Sequence, residues 1–313
     1  MSNATRRWLR WGLGILWLVD GLLQLQPAMF GPALPHMFLA SAAGSPPWVV
    51  TLVAWGAHWF ARAPVLANGG AVGVQLGIGV LLLLPHPRWQ RRGLWLSIAW
   101  GVAVWVFGEA FGGIWAPGAS LLTGAPGSVL LYVAAAVLLL QPDGWLEQRG
   151  TQAVAWVLGA YWFLGALLMV VSGGFVPGSL AAAVDSAAAT PQPAVLSDPM
   201  ARVGWLLARH PQDGAALLFV LFMVLGEVWL ANRPRRWVVV LSLATLAAMW
   251  WFGMDFGVLG GTGTDPNTAP IIALLVGAAA ARPRWQLRLV PGHAPAAATG
   301  EPAAGRVHRV GSG

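Results

Sequence analysis

The chain has 313 residues, of which 57% are hydrophobic and only 9% are charged, and its formal net charge is +7. A soluble domain carries about 25% charged residues, so this composition excludes an ordinary soluble protein and indicates an integral membrane protein. The chain has no cysteine, which excludes disulfides, thiol chemistry and Cys-ligated metal clusters.

Eight apolar segments predict membrane-spanning helices, since a span needs about 20 mostly apolar residues. In chain order they lie near residues 9–30, 67–85, 93–112, 126–141, 152–173, 214–231, 237–256 and 268–281. The first follows a basic start but lacks a small-residue cleavage site, so we interpret it as an uncleaved span rather than a signal peptide.

The arginines predict the orientation of these spans. With eight spans, one side of the membrane receives Arg6, Arg7, Arg10, Arg88, Arg91, Arg92, Arg149, Arg233, Arg235, Arg236, Arg282, Arg284 and Arg288. The loops of the other side carry only Arg62, Arg202 and Arg209. Because positive loops stay cytoplasmic, we expect both termini in the cytoplasm of a cell with a bacterial-type plasma membrane, membrane lipids as partners and no nucleic acid.

Two external loops are long. In the first, residues 46–64 are apolar or amphipathic and predict either a helix lying in the membrane interface or a ninth span, which would break the arginine pattern. In the second, the low-complexity stretch 181–199 predicts a linker, followed by a short helix in "MARVGWLLARHP". The tail, residues 290–313, has no apolar period and predicts a disordered cytoplasmic segment.

The sequence repeats at an offset of 145 residues. Segment 11–32 matches segment 156–177 at eight of 22 positions, and segment 88–112 matches 233–257 at 11 of 25. Apolar bias does not explain why two separate windows share one offset, so we interpret the chain as a duplication. The predicted fold is an all-α integral membrane protein of two parallel four-helix repeats, residues 1–145 and 146–289, with interfacial helices in the external loops.

This arrangement resembles a known family. Each predicted repeat is a span ending near a glycine, a loop with a surface helix and three further spans, and the second carries "LGEVWLANRPRR" around its second span. The pattern is similar to the four-helix DoxX-like membrane families, here doubled. Their members are associated with respiratory or sulfur redox systems, often as accessory subunits. The basic residue that the resemblance leads us to expect late in the first span is absent, and Gln24 stands in that region.

Polar residues within the first predicted spans indicate a functional pocket. Asp20 lies near the middle of the first predicted span, and Gln24, four residues later, shares its helical face. No Lys or Arg lies inside a predicted span as a partner for Asp20, so Asp20 is protonated, contacts a cation or bonds to groups such as Gln24, Gln75 or Tyr161. The alternative is a purely structural, hydrogen-bonded carboxyl that links helices.

Two carboxylates stand in the repeated motif "FGEAFGG" and "FGMDFGV". Glu109 and Asp255 both lie at the external ends of their predicted spans, but the acid is displaced by one position between the copies. The polar segments that follow contain Asp265 and Asn267, which predict either the lining of a vestibule or, for Asp265, a turn that caps the last span. We therefore assign a ligand or ion pocket to Asp20, Gln24, Gln75, Glu109, Asp255, Asp265 and Asn267, with no catalytic or metal-ligating residue.

Two functions follow from these patterns. The resemblance implies a non-catalytic accessory or binding subunit of a membrane redox complex, with a pocket between the repeats that opens to the non-cytoplasmic side. Such a subunit would have other membrane redox subunits as partners, no cofactor of its own and a bound quinone or lipid. The alternative is a small-solute or proton-coupled ion transporter that uses Asp20, Glu109 and Asp255.

Overall fold

The regular structure of the chain is helical throughout the part that the computed structural model describes, residues 1–232 and 235–281. It contains twelve α-helices and four short 3₁₀ turns, and no strand occurs in these residues. The all-α prediction is thereby confirmed. The expectations for Arg233, Arg282, Arg284, Arg288 and the tail 290–313 concern positions outside the described residues.

Six helices belong to the first half of the chain and six to the second. The first half contains α1 (Asn3–Leu23), α2 (Ala33–Ser41), α3 (Pro47–Arg62), α4 (Pro64–Leu83), α5 (Pro87–Phe107) and α6 (Ser128–Leu139). The second half contains α7 (Asp143–Val171), α8 (Ser179–Ala188), α9 (Ala194–Arg209), α10 (Pro211–Leu230), α11 (Arg236–Phe252) and α12 (Thr268–Ala280).

Prolines set several of the helix boundaries. Pro47, Pro64, Pro87 and Pro211 each occupy the first position of a helix, where the missing N–H has no intrahelical partner to lose. Pro27 has the opposite effect, because the residue before a proline is disfavoured in the helical conformation. Helix α1 therefore ends at Leu23, earlier than the predicted 9–30.

The external loops contain more helix than the sequence predicted. The prediction of a linker over residues 181–199 is wrong for most of its length, because α8 and α9 cover all but residues 189–193. Alanine is the strongest helix former, and it outweighs the low complexity of this stretch. The helix predicted within residues 46–64 is confirmed as α3.

Three helices of the described chain are long and apolar enough to cross a membrane, namely α4, α7 and α10. Helices α6, α11 and α12 are apolar but shorter. Together with the composition they indicate a membrane protein, while the arrangement of eight spans stays a prediction.

One large hydrophobic core joins helices of both halves. It takes buried residues from α1, α4, α5 and α6 and from all six helices of the second half. Helices α2 and α3 are the exception, because they pack on the turn after α5 through a small separate cluster of Ala42, Val49, Val53 and Ala110. In the second half, helices α8 and α9 contribute Leu180, Val184 and Met200 to the main core. Helices α2 and α3 are thus packed less closely with the main core than α8 and α9 are.

Candidate functional site

A cavity of about 450 Å³ lies between the end of α1, helices α4 and α5, and the helix pair α2 and α3. A volume of about 300–1,000 Å³ is typical of small-molecule sites. Five of the seven residues assigned to a pocket from the sequence line it, namely Asp20, Gln24, Gln75, Glu109 and Asp265. The cavity lies mainly within the first half, and Thr264 and Asp265 of the second half reach into it.

Asp20 lies in the last turn of α1, not near the middle of a span, because the helix ends at Leu23. Its side chain is 1% exposed. The hydroxyl of Tyr132 on α6 donates to Asp20 Oδ1 at 3.5 Å, a long hydrogen bond. Asp20 Oδ2 has no hydrogen-bond partner in the described chain. A helix C-terminus disfavours an anion, so this position stabilises the carboxylate poorly.

Two buried amides flank Asp20. Gln24 follows the end of α1, where its backbone N–H donates to Asp20 O at 3.0 Å and its backbone oxygen accepts from Asn68 Nδ2 at 2.8 Å. Gln75 projects from α4 into the same cavity. The side-chain oxygens of Gln24 and Gln75 both lack partners among the described residues. An unsatisfied buried acceptor costs about 1–3 kcal/mol, so this group of oxygens is expensive to keep.

Glu109 lies in a turn that stops α5. The backbone N–H groups of Gly108 and Glu109 both donate to Val104 O, and the next three residues, Ala110, Phe111 and Gly112, have φ of 47°, 62° and 64°. This left-handed run turns the chain away from the helix axis. Ser128, the first residue of α6, donates through Oγ to Glu109 Oε1 at 3.1 Å. The backbone N–H groups of Ser128 and Val129 at the start of α6 also lie near the Glu109 carboxyl. Glu109 Oε2 is shielded from solvent and makes no hydrogen bond of normal geometry in the described chain.

Asp265 approaches Glu109 from the second half of the chain. Its Oδ1 accepts from the backbone N–H of Asn267 at 2.7 Å, which is the turn-forming bond that the sequence suggested. Asn267 then caps α12 by accepting from the N–H of Thr268 at 2.7 Å. Burial raises the pKa of the Asp265 carboxyl above its ordinary value, against the hydrogen bonds from Ser128, Asn267 and Thr264. Asp265 and Asn267 also line a shallower pocket of about 400 Å³ beside Glu109.

The structure places Asp255 elsewhere. It is half-buried in the turn after α11, with φ 39°, and it is not among the residues that line the large cavity. At the repeat offset, Asp255 aligns with Ala110, one position after Glu109 in the matching turn. Of the two carboxylates of the repeated motif, only Glu109 is therefore among the lining residues of the large cavity.

Aromatic side chains form the outer walls of the cavity, and sequence reasoning did not assign them to it. The aromatic residues that line it are Phe38, Trp55, Trp59, Phe60, Trp100 and Phe107. Trp55 contacts Trp59 with ring centroids 6.1 Å apart and Phe107 at 5.5 Å. The signal in the sequence was the i, i+4 spacing of Trp55 and Trp59, which places both on one face of α3.

The second half has apolar residues where the first half lines its cavity. At the offset of 145, the counterparts of Asp20, Gln24, Gln75 and Glu109 are Gly165, Met169, Val220 and Met254. Gly165, Met169 and Met254 are buried, and Leu121 packs directly against Gly165, where a Cβ would lie 2.7 Å from Leu121 Cγ. The second half therefore lacks the polar side chains with which the first half lines the cavity.

The chemistry of this cavity is that of a hydrogen-bond acceptor. It presents three carboxyl groups and two amides, and no Arg or His lines it in the described chain. The described residues also contain no group of three or more side chains that would hold a metal ion. A buried carboxyl without a basic partner is stable only when it is protonated or when a ligand supplies the missing donors.

Comparison with known proteins gave no relative: no protein-family model, no curated protein and no solved structure matches this chain.

Proposed function

We propose that this chain is a non-catalytic multi-pass membrane protein that binds a small ligand in the cavity of its first half. One observation carries the proposal: four buried oxygens, Asp20 Oδ2, Gln24 Oε1, Gln75 Oε1 and Glu109 Oε2, make no hydrogen bond of normal geometry in the described chain and belong to side chains that line one aromatic-walled cavity. Such acceptors are costly unless a ligand satisfies them. The apolar counterparts in the second half indicate that the fold itself does not require them.

The proposed architecture is eight spans in two parallel repeats, with both termini in the cytoplasm of a bacterial-type cell. Three long apolar helices support the membrane setting. Arg6, Arg7, Arg10 and Arg91 line a second cavity of about 430 Å³, at the end of α1 opposite to Asp20, which supports a basic face on that side. Matching features at the same offset, Trp105 and Trp250 among them, support the duplication.

The DoxX-like resemblance extends the proposal to an accessory subunit of a membrane redox complex, with a quinone or lipid as the bound molecule. An oxidised quinone brings only acceptor oxygens, whereas most of the shielded unpartnered atoms of the lining are acceptors too; Trp100 Nε1 and the amide N–H groups of Gln24 and Gln75 are the donors that it could meet. The reduced form brings hydroxyl groups, and the carboxyl oxygens of Asp20 and Glu109 would accept hydrogen bonds from them.

The binding proposal is tested by filling the cavity. Ala103 lines it on α5, and its counterpart Ala248 is exposed on α11. We expect native mass spectrometry of the purified chain to show a retained small molecule that Ala103→Phe expels and Ala248→Phe does not. If no molecule is retained, or if both variants keep it equally, the cavity is not a binding site.

A transporter is the second candidate, favoured by three carboxyl groups that line one cavity without a basic partner. It rests on Asp20 and Glu109, since Asp255 lies outside the cavity lining. In proteoliposomes under a proton gradient, Asp20→Asn and Glu109→Gln should abolish solute uptake or proton coupling. Unchanged flux in both variants would contradict a transport function and would not affect the binding proposal.

A further inference from the structure

We infer that the ligand of this cavity is a small organic cation with N–H donors on an aromatic or apolar body. The inference rests on the proposed binding function and names the chemical class of its ligand. Three features of the cavity, its charge, its unpartnered atoms and its walls, point to this class.

The ionisable groups among the described lining residues are acidic only. Asp20, Glu109 and Asp265 line the cavity together, and neither Arg nor His is among its described lining residues. The whole chain has no lysine to supply a cation instead. A ligand with a positive charge compensates these carboxylates, whereas an anion would add to the repulsion.

The unpartnered carboxyl and amide oxygens require hydrogen-bond donors from the ligand, whereas Trp100 Nε1 requires an acceptor. Asp20 Oδ2 and Gln75 Oε1 belong to side chains that are 1% and 4% exposed, and Glu109 Oε2 is shielded from solvent. An ammonium group carries three donors and no acceptor, so one head group can satisfy several of these oxygens. Bonds of this kind involve charge on both partners and are stronger than those between neutral groups.

The aromatic walls suit both a cation, which binds over the face of an indole ring, and an apolar body. Trp55, Trp59 and Trp100 offer indole rings, the aromatic group that attracts cations most strongly. Arg62 shows this attraction within the protein, because its guanidinium lies 4.3 Å from the centre of the Trp59 ring. A cavity of about 450 Å³ is far larger than a bare metal ion needs and holds a molecule with an organic body.

The experiment compares three ligands that share one body, using the full chain in nanodiscs of neutral phosphatidylcholine, with empty nanodiscs as the blank. The probes are tryptamine, a cation; tryptophol, its neutral counterpart; and indole-3-acetate, an anion. We expect calorimetry to show tryptamine binding at least tenfold more tightly than tryptophol and no binding of the acetate. Asp20→Asn and Glu109→Gln should each weaken tryptamine at least tenfold without changing tryptophol.

The control variant is Asp213→Asn, which removes a carboxylate that is 84% exposed and pairs with His210 at the start of α10. It should leave tryptamine binding unchanged. Equal affinity for tryptophol and tryptamine would overturn the cationic class while leaving the binding function in place, as would stronger binding of a hydroquinone probe. Absence of tryptamine binding to the folded wild type also overturns the cationic class. The binding function is then decided separately, by whether native mass spectrometry shows a retained molecule that the Ala103→Phe variant loses.

Discussion

Glu109 and Met254 stand at the same position of two matching turns, and each contacts the hydroxyl group of the residue that begins the next helix. Ser128 Oγ donates to Glu109 Oε1 at 3.1 Å, and Thr268 Oγ1 contacts Met254 Sδ at 3.7 Å. In both turns the backbone N–H of this residue donates to a carbonyl five residues earlier. The chain therefore contains both a polar and an apolar version of one local structure.

The first prediction concerns the exchange of the side chains at positions 109 and 254. Glu109→Met should raise the free energy of unfolding by about 1–3 kcal/mol, because it removes an unsatisfied buried acceptor and keeps a side chain that the other turn accommodates. Met254→Glu should lower it, since the main core surrounds Met254. Thermal or denaturant unfolding in one detergent compares the two. A stabilised Glu109→Met variant that also loses the retained ligand would show stability exchanged for function.

The second prediction concerns the two indole groups that donate hydrogen bonds to backbone oxygens of the segments after these turns. Trp105 Nε1 donates to Pro126 O at 2.8 Å, and Trp250 Nε1 donates to Pro266 O at 2.8 Å and to Phe256 O at 3.0 Å. Replacement by Phe keeps much of the ring contact but removes the donor, so Trp105→Phe should cost about 1 kcal/mol and Trp250→Phe more.

Trp95 provides the control for the indole substitutions. It is 55% exposed and no hydrogen bond of its indole appears in the described structure. Trp95→Phe should leave the unfolding midpoint within the error of the wild type. Equal losses at all three positions would mean that the indole hydrogen bonds contribute nothing specific.

The third prediction separates backbone conformation from space. Gly112 and Gly113 have nearly the same φ, 64° and 68°, but a Cβ on Gly112 would overlap the backbone of Pro126, whereas one on Gly113 would meet nothing within 4 Å. Gly113→Ala should therefore cost about 1–2 kcal/mol, the penalty of the left-handed conformation alone. Gly112→Ala should cost clearly more, seen as loss of folded protein in size-exclusion chromatography. Similar yields and midpoints for both variants would contradict the close approach of the two segments.

The length of apolar runs was sufficient to locate eight of the described helices, because each of the eight predicted segments overlaps one of them. Periodicity did not identify α2 or α8, since their small and apolar residues resemble loop composition, and it did not place the end of α1. The number of spans and their orientation depend on the bilayer and stay predictions.

The residues of the candidate site could be predicted from the sequence only in part. Buried acids in apolar surroundings pointed to Asp20 and Glu109, and both line the cavity. The approach of Asp265 depends on how the second half folds against the first, which no local pattern specifies. The aromatic walls depend on the same kind of information, because α2 packs on α3 and α3 packs on α4 and α5, which follows from tertiary structure.

The last prediction is a pH dependence that comes from Asp265. Because burial raises the pKa of its carboxyl in the folded chain, the folded state binds more protons than the unfolded state above the ordinary pKa of an aspartate, about 3.9. Stability should therefore fall as pH rises from about 4 through the folded pKa, the reverse of the behaviour of a salt-bridged aspartate. Asp265→Asn keeps an oxygen that accepts from the Asn267 N–H but removes the titration. Melting curves between pH 4 and 8 should show a smaller decline for this variant than for the wild type. Identical slopes would mean that the pKa of Asp265 is the same in the folded and unfolded chain, while a steeper slope in the variant would mean that the folded environment stabilises the carboxylate.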